Sequence, residues 1–361
     1  MVTLCKGEVL TAADPCWVEA LARVRHDIYH TSAYHQLGGL GREGEAFAFL
    51  YREGDRAFVW PYLLKATEGE PGAYDVSSVY GYAGPVSAAD PAFVGRAWQQ
   101  LQEAWRGQGV VSAFTRFNPL LGNQDLLRGV RDEQGRAADD GIRFHGPTVS
   151  IDLRPSLDEQ LCRYHKKLRN EIRRGRAAGF VTLDDERWEN LDVFVHLYGG
   201  AMTRLNSRRE YLVDGAWVRE FRRTLGEHAH LFVTQWNGKV MAASLAMAYG
   251  PFLHCHLIGN SSELLTPSPT KAMLDALRVW GTEHGYESLH LGGGLGGRED
   301  SLYQSKRKFS PATRDFYTGS WILNPERYQD LEATHRRRLA EQGIDIGEPS
   351  YFPIYRYRPD L

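Results

Sequence analysis

The most basic stretch of the chain, residues 163–176, reads RYHKKLRNEIRRGR and holds seven Lys or Arg residues against one Glu. Its apolar positions recur at helical spacing, which predicts a helix with one face toward the core: Leu161, Tyr164 or His165, Leu168 and Ile172. The other faces could bind a phosphate backbone, and the cations predicted to do so are Lys166, Lys167, Arg169, Arg173 and Arg174. The alternative is a solvated helix face, which self-repulsion among so many like charges disfavours.

A second candidate is LGGGLGGREDSLYQSKRKFS, residues 291–310, which begins at the end of a predicted strand. Glycines at 292–294 would let the backbone approach a ligand closely. Lys306, Arg307 and Lys308 follow on a predicted short helix. A dinucleotide fingerprint is disfavoured, because the glycines follow a late strand with no βαβ unit around them. The alternative to a ligand site is a flexible surface turn that carries basic residues.

A third candidate is the pair His254 and His256, which flank Cys255 on a predicted strand. Alternation along a strand would place both histidines on one face. No metal is expected, because no third ligand follows nearby. The pair could line a substrate cleft, or both residues could be ordinary hydrogen-bonded histidines of a sheet.

The sequence shows no convincing nucleophile for covalent catalysis. It contains no GxSxG, no HExxH and no GxxxxGK[ST] motif. Direct attack by an acceptor amine on an already activated acyl group fits better. That reaction needs positioning, a donor to the oxyanion and a route for the amine proton.

The composition limits where such chemistry takes place. A chain of 361 residues with 42% hydrophobic residues is long enough for about two domains. The net charge of −2 means that nucleic acid would have to bind a local basic patch. The four cysteines form no CxxC pair, and no signal peptide or apolar run of about 18 residues is present. We therefore expect a cytoplasmic protein with free thiols and no membrane span.

An internal repeat predicts how these residues are positioned. A hairpin over 45–66, a third strand from Tyr74 that ends in glycines, a helix from Pro91 to about Trp105 and a further strand form the first copy. The second copy repeats this order at an offset of 176, which relates Gly109 to Gly285 and Tyr80 to His256. A β-β-β-α-β unit used twice suggests duplication, against the alternative of chance similarity.

The repeat predicts two mixed α/β domains. The first spans 1–152 and is completed by the C-terminal segment 320–361, and the second spans 153–319 and carries the donor site. Predicted helices at Ser156–Ala178 and Leu191–Leu205 lead into the second copy. The tail that ends in YFPIYRYRPDL is expected to pack on the first domain.

The order of several motifs resembles that of the Fem-type aminoacyltransferases. The resemblance covers essentially the whole chain and rests on Lys-x-x-Arg-x-x-x-Arg-Arg at 166–174, LYGGAMTRLNSRREY, the SP-led helix at Ser268, the glycine-rich stretch at 291–310, VYGYAGP and the ending YFPIYRY. It implies two tandem GNAT acyltransferase domains, each with a mixed, mostly antiparallel sheet flanked by helices. It also implies transfer of an amino acid from aminoacyl-tRNA, as co-substrate and without a bound cofactor, to an amine.

The resemblance also implies roles for particular residues. Lys306 stands where the family has the lysine of its Phe-Lys motif, with Ser305 replacing the Phe, so Lys306 is the predicted catalytic residue. Arg307 and Lys308 would bind tRNA phosphates. The acceptor would be a peptidoglycan precursor or a small peptide or natural-product intermediate. Its predicted contacts are Tyr34, Tyr80, Tyr82, Arg116, Arg204, Tyr211 and His256.

Two alternatives to this function remain open at the level of sequence. An acyl-CoA-dependent N-acyltransferase would need a glycine-rich loop whose amides bind pyrophosphate at a helix N-terminus. The corresponding stretch here, ELLTPSPTKAML, has prolines at those places, and proline donates no N–H. A non-catalytic RNA-binding module is disfavoured by the near-neutral total charge and by the two acyltransferase-like halves.

Overall fold

The computed structural model describes residues 7–40, 44–132, 134–205, 212–263, 266–347 and 351–359. Its strands are β1 Glu8–Thr11, β2 Glu45–Glu53, β3 Arg56–Ala66, β4 Tyr74–Ser77, β5 Val86–Ser87, β6 Val110–Arg116, β7 Ile142–Asp152, β8 Val181–Asp184, β9 Ala229–Trp236, β10 Lys239–Tyr249, β11 Phe252–Asn260, β12 Ser288–Gly292 and β13 Thr313–Ile322. Its α-helices are α1 Pro15–Leu21, α2 Ser32–Gly39, α3 Pro91–Gly107, α4 Leu157–Cys162, α5 Lys166–Ala177, α6 Leu191–Arg204, α7 Gly215–Leu225, α8 Pro269–Glu283, α9 Ser301–Arg307 and α10 Pro325–Glu341.

The chain divides into two compact units. The first comprises Met1–His145 with Phe316–Leu361, and the second comprises Gly146–Asp315. Both divisions fall within strands, β7 and β13. The structure divides the chain at 145/146, within β7, whereas the predicted boundary at 152/153 is at the end of that strand. It divides the chain again at 315/316, whereas the predicted boundary at 319/320 is further along β13.

The sheet of the first unit has the order β1-β2-β3-β4-β6-β13, with β5 also paired to β3. β4 and β6 run parallel, whereas β2, β3 and β4 are antiparallel in sequence. Helix α3 begins at Asp90, whose side chain accepts a hydrogen bond from Phe93 N–H and so satisfies an otherwise unpaired donor. Its buried residues recur at helical spacing and pack on a tryptophan-rich core around Trp60.

The sheet of the second unit has the order β7-β12-β11-β10-β9-β8, in which β11 and β12 are the parallel pair. Helix α8 packs on it through Met273, Leu274 and Leu277, in the same core as Leu168 and Ile172 of α5. The series β2-β3-β4-α3-β6 thus recurs as β9-β10-β11-α8-β12, so the predicted repeat of a mixed, mostly antiparallel sheet with helices is confirmed.

The glycines that follow α3 and α8 show the repeat at the level of backbone conformation. Gly109 and Gly285 adopt φ values of +77° and +79°. Residues with a Cβ rarely adopt this left-handed conformation, so glycine is favoured where a helix ends and turns into the next strand.

Two predicted elements are shorter than expected. The third strand of the first half ends at Ser77, because the following segment turns away at Gly81 and Gly84, with φ of +120° and +84°. The helix predicted over Ser156–Ala178 is divided into α4 and α5. Tyr164, in the turn between them, is buried in the core, which explains its place in the apolar pattern.

The C-terminal tail is fixed to the first unit by a buried carboxylate. Asp75 of β4 accepts hydrogen bonds from Tyr355 Oη, from Arg356 Nε at 2.5 Å and from Ser112 Oγ at 2.7 Å. Asp75 is only 2% exposed, so these bonds replace its lost hydration.

We therefore expect Asp75→Ala to lower the free energy of unfolding by about 3 kcal/mol, because it leaves a partly buried guanidinium and two hydroxyls without their acceptor. Urea denaturation followed by fluorescence measures this change. The matched control is Asp55→Ala, which removes an exposed carboxylate 3.8 Å from Arg23 and should change stability by less than about 1 kcal/mol. Equal losses in the two variants would contradict this role for Asp75.

Candidate functional site

The candidate site lies in the second unit, where the parallel strands β11 and β12 stop pairing. Their register runs from Phe252 opposite Ser288 to His254 opposite His290. Beyond this point β11 has a bulge at His256, because consecutive residues of β10 face Cys255 and Leu257. Bulges change the direction of side chains and end regular pairing, and they are common beside functional sites.

Lys306 reaches this point from α9. Its Nζ donates a hydrogen bond of 2.7 Å to the carbonyl oxygen of Gly293, just after β12 ends. The side chain is largely buried, and burial lowers the pKa of Lys306 to about 8, against the opposing effects of Cys255 and Asp300. The Cys255 thiol contacts Ser244 Oγ at 3.4 Å, and burial raises its pKa. Near neutral pH the site therefore combines an ammonium that readily loses its proton with a neutral thiol.

In the loop at 292–297, packing within the unit requires a glycine at position 294. A Cβ at Gly294 would lie 2.0 Å from the carbonyl oxygen of Arg298 and 2.5 Å from Asp300 Oδ1. Gly146, at the start of the unit's share of β7, would place a Cβ 1.9 Å from the carbonyl oxygen of Gly297. The sequence predicted that glycines here let the backbone approach a ligand. In the structure the close contacts at Gly294 and Gly146 are instead with other atoms of the protein.

The basic stretch at 163–176 adjoins the end of α9. His165 N–H donates to the carbonyl oxygen of Lys308 at 2.8 Å, and the rings of Tyr164 and Phe309 meet edge to face at 5.1 Å. The two basic stretches that the sequence singled out are thus brought together.

The exposed face of α5 forms an open groove of about 680 Å³. It is lined by His165, Lys166, Lys167, Asn170, Arg173 and Arg174. The other predicted phosphate contacts have partners within the protein: Arg169 donates to the carbonyl oxygen of Cys162 at 2.8 Å, and Arg307 donates to that of Ser310 at 2.9 Å. Lys308 is partly buried at the end of α9.

The opposite face of α5 is fixed to α8 by charged groups that the sequence pattern did not reveal. Arg176 pairs with Asp275 at 2.7 Å, and Glu171 pairs with Lys271 at 2.8 Å. Asp275 also accepts from Arg278, which is only 2% exposed. These bonds account for the orientation of α5, which turns Lys166, Lys167, Arg173 and Arg174 toward the groove.

Carboxylates lie at the N-termini of both repeated helices. In the second unit Glu171 accepts from Ser268 N–H at 3.2 Å, and Pro269 at the first position of α8 has no N–H to donate. In the first unit Asp90 accepts from Phe93 N–H at 3.0 Å and pairs with Arg56 at 2.9 Å. The donors that commonly bind anions at a helix N-terminus are therefore partly occupied by the protein itself.

Four predicted acceptor-binding residues lie together in the first unit. Tyr34 Oη donates to the carbonyl oxygen of Tyr80 at 2.7 Å, and Tyr29 contacts the rings of both Tyr34 and Tyr82 edge to face. Arg116 lies close enough to Tyr82 to oppose, by its charge, the effect of burial, which raises the pKa of that phenol. Tyr80 is exposed and Arg116 is partly buried, so this cluster presents the phenol of Tyr80 at the surface beside a half-buried guanidinium.

The loop that carries Tyr80 and Tyr82 is held by buried amides that the sequence analysis missed. Asn123 Nδ2 donates to the carbonyl oxygens of Ala83 and Pro85, both at 2.8 Å. Asn118 Nδ2 donates to Tyr82 O at 3.1 Å and to Asp27 Oδ2 at 2.7 Å. Single Asn and Asp residues in loops form no sequence pattern, so these hydrogen bonds could not be predicted from the sequence.

The other predicted acceptor-binding residues belong to the second unit. Arg204 donates to the carbonyl oxygen of Asn260 at 2.7 Å. His256 stacks on Phe221 of α7 with ring centroids 5.9 Å apart, and burial lowers its pKa to about 3. The bulge at His256 interrupts the alternation of side chains along β11. The prediction that alternation places His254 and His256 on one face of the strand therefore does not apply. Tyr211 lies outside the described residues.

Within the ranges that the structure describes, no group of three or more His, Cys, Asp and Glu side chains could hold a metal ion. The same described ranges contain no helix that is both long and apolar enough to cross a bilayer.

Because Gly146 packs directly against the glycine loop, we expect Gly146→Ala to lower the free energy of unfolding by about 1–3 kcal/mol. Chemical denaturation measures the loss. Gly199→Ala is the control, since a Cβ there meets nothing within 4 Å in the middle of α6. It should leave stability unchanged or raise it by roughly 0.5–1 kcal/mol. A neutral Gly146→Ala variant would show that the loop can move at no cost.

Comparison with known proteins supports this reading of the fold. Residues 163–305 match the protein family described as "Acetyltransferase (GNAT) domain". A search of curated proteins found no match.

Solved structures similar to the chain extend over both units. A crystal structure of FemX has a TM-score of 0.68 at 13% identity, with 89% of this chain and 99% of that chain covered. The structure of L-PGS from Bacillus licheniformis has a TM-score of 0.54 at 14% identity, covering 87% and 93%. The C-terminal domain of a putative lysylphosphatidylglycerol synthetase from Agrobacterium fabrum has a TM-score of 0.53 at 18% identity, covering 86% and 93%. The chain therefore shares the fold of these solved structures, and residues 163–305 of its second unit match the GNAT acetyltransferase family.

Proposed function

We propose that the protein transfers an aminoacyl group from aminoacyl-tRNA to an amine acceptor and so forms an amide bond. One observation carries the proposal: the basic groove on α5 adjoins, through the His165–Lys308 hydrogen bond, the helix that carries Lys306. A nucleic-acid strand bound along α5 would bring its end toward the buried ammonium. The resemblance to FemX and to a protein titled lysylphosphatidylglycerol synthetase is consistent with an aminoacyl donor.

The reaction requires no covalent enzyme intermediate. The acceptor amine attacks the ester carbonyl carbon of the aminoacyl-tRNA and gives a tetrahedral intermediate that bears an oxyanion. The bond from this carbon to the ribose oxygen then breaks, the amine nitrogen loses a proton, and the ribose oxygen gains one. The protein must position the two substrates, stabilise the oxyanion and assist proton transfer.

Lys306 has the properties that these steps need. Its ammonium can exchange the bond to Gly293 for one to the oxyanion, where a positive charge in a largely buried site is most effective. With a pKa of about 8 it is a stronger acid than an ordinary lysine, so it can also donate a proton to the leaving ribose oxygen.

The same geometry disfavours acyl-CoA as the donor. A pyrophosphate at the N-terminus of α8 would meet Glu171, and one at the N-terminus of α3 would meet Asp90. Each carboxylate repels an anion and already accepts a backbone hydrogen bond that the anion would need. An acyl-CoA-dependent N-acyltransferase is therefore the weaker candidate.

For the acceptor we propose a polar amine, either a peptidoglycan precursor or a small peptide or natural-product intermediate. Arg116 with Tyr34, Tyr80 and Tyr82 in the first unit suits carboxylate or phosphate groups on such a molecule. Arg204, Tyr211 and His256 of the second unit remain proposed acceptor contacts. We further propose that aminoacyl-tRNA is the only co-substrate, with no bound cofactor, and that the reaction takes place in the cytoplasm.

The direct test supplies purified protein with a mixture of labelled aminoacyl-tRNAs and a panel of amine acceptors, beside a parallel reaction with labelled acetyl-CoA. We expect RNase-sensitive transfer of label from tRNA to an acceptor. Transfer from acetyl-CoA alone would overturn the proposal in favour of an acetyltransferase. RNA binding with no product from any donor would instead indicate a binding module.

We expect Lys306→Met to lower kcat by about 100-fold or more, because the oxyanion loses its charged donor. Affinity for tRNA should stay near that of the unaltered protein. In the unaltered protein kcat should fall as pH rises through about 8, since the ammonium is the active form. Lys239→Met, which removes an exposed lysine at the start of β10, is the control. Full activity in Lys306→Met would exclude Lys306 from the chemistry.

The paired variant Arg173→Gln with Arg174→Gln should raise KM for aminoacyl-tRNA and leave kcat little changed. Its binding should also depend less steeply on salt, with the slope of log K against log salt reduced by about 1–2. Arg187→Gln is the control, because Arg187 is an exposed arginine of the same unit outside the groove. An equal rise in KM in the control would show that tRNA binding depends on the overall charge of the protein and not on the groove.

A further inference from the structure

One carboxylate connects the two segments that hold Lys306. Asp300 Oδ2 accepts from Leu295 N–H at 3.0 Å, and Asp300 Oδ1 accepts from Tyr303 N–H at 3.0 Å. Leu295 lies two residues beyond Gly293, whose carbonyl accepts the Lys306 hydrogen bond. Tyr303 lies in the first turn of α9, three residues before Lys306. Asp300 therefore links the loop that bears the acceptor to the helix that bears the donor.

The space for this carboxylate is created by a glycine. A Cβ at Gly294 would lie 2.5 Å from Asp300 Oδ1, so any other residue would displace it. Burial by itself raises the pKa of Asp300, but backbone hydrogen bonds from Tyr303, Leu295 and Leu302 and the charge of Arg298 together hold it below its ordinary value. It is thus a carboxylate throughout the physiological range.

We propose that Asp300 is a positioning residue for the transfer reaction, which fixes Lys306 against Gly293 and favours its ammonium form through its negative charge. The expected change in kcat rests on the proposed function. The expected change in the pKa of Lys306 does not, because it can be measured without any substrate.

The groups around Lys306 show which of its neighbours affects its pKa. Cys255 faces it from β11, and Asp300 faces it from the start of α9. Arg307, the last residue of α9, and Lys308, which follows the helix, both carry positive charge. Asp300 is thus the carboxylate that acts on Lys306, and its removal should be felt as a lower affinity of Lys306 for its proton.

The test follows the titration of Lys306 by NMR in protein labelled with [¹³C]lysine. The chain has only eight lysines, and Lys306→Arg identifies the signal. We expect Asp300→Asn to lower the pKa of Lys306 by about one unit. Glu299→Gln removes the same charge from the adjacent exposed residue and should leave this pKa unchanged. A folded Asp300→Asn variant with an unchanged Lys306 pKa would overturn the proposal, as would an equal shift in Glu299→Gln.

A second variant tests the proposal if Asp300→Asn does not fold. Asp300→Ser keeps a side-chain oxygen that can accept from Tyr303 N–H at the start of α9 but carries no charge. It should lower the pKa of Lys306 in the same direction, and an unchanged value would again overturn the proposal. If aminoacyl transfer is detected, the alkaline limb of kcat should move to lower pH in both variants, with KM for tRNA unchanged. Absence of transfer in every variant would count against the proposed function and leave the titration result intact.

Discussion

The second unit depends on one hydrogen bond, from the buried ammonium of Lys306 to the carbonyl oxygen of Gly293. Burial lowers the pKa of this lysine from 10.5 to about 8. By linkage this corresponds to a proton bound about 3 kcal/mol less tightly in the folded than in the unfolded protein. Packing must offset that cost, and it does so where α9, the glycine loop and β11 converge on Tyr303, Phe309 and Leu291 of the core. Strongly shifted pKa values cluster at functional sites, which is why the proposed function centres on Lys306.

The charges around this ammonium are arranged by sign. Cations face outward on α5, whereas the carboxylates of Glu171 and Asp275 lie on its inner side and are paired with Lys271, Arg176 and Arg278. The net charge of the whole chain is only −2, so the proposed attraction for tRNA would have to come from this local separation. One of these inner carboxylates, Glu171, accepts a hydrogen bond from the backbone N–H of Ser268 at the start of α8. The two faces of α5 thus differ in charge: the outer face is basic, and the inner face places a carboxylate at the N-terminus of the neighbouring helix.

Local patterns were sufficient to predict the repeated strands and helices, because alternation, helical spacing and turn glycines act over a few residues. They also predicted a helix with cations outward, which the structure has from Lys166 but not over residues 163–165, and basic residues on a short helix after the glycine loop. They could not predict Glu171 at the start of α8, since 97 residues separate it from Ser268. Nor could they show that Gly146 and Gly297 meet, or that Asn118 and Asn123 hold the loop at 80–85. Such contacts depend on the packing of distant segments, which has no signature in one sequence.

The two units treat the same structural feature in different ways. In each, a parallel pair of strands stops pairing after a few residues, β4 with β6 and β11 with β12. In the first unit a parallel bridge between Ala83 and Phe117 fills the place with a loop that exposes Tyr80 and buries much of Tyr82. In the second unit Lys306 extends to this place and Cys255 lies beside it. The repeated fold has thus kept the strand separation in both copies, with a loop at one and the buried ammonium of Lys306 at the other. This difference is the physical argument behind the proposal that the acyl donor binds in the second unit.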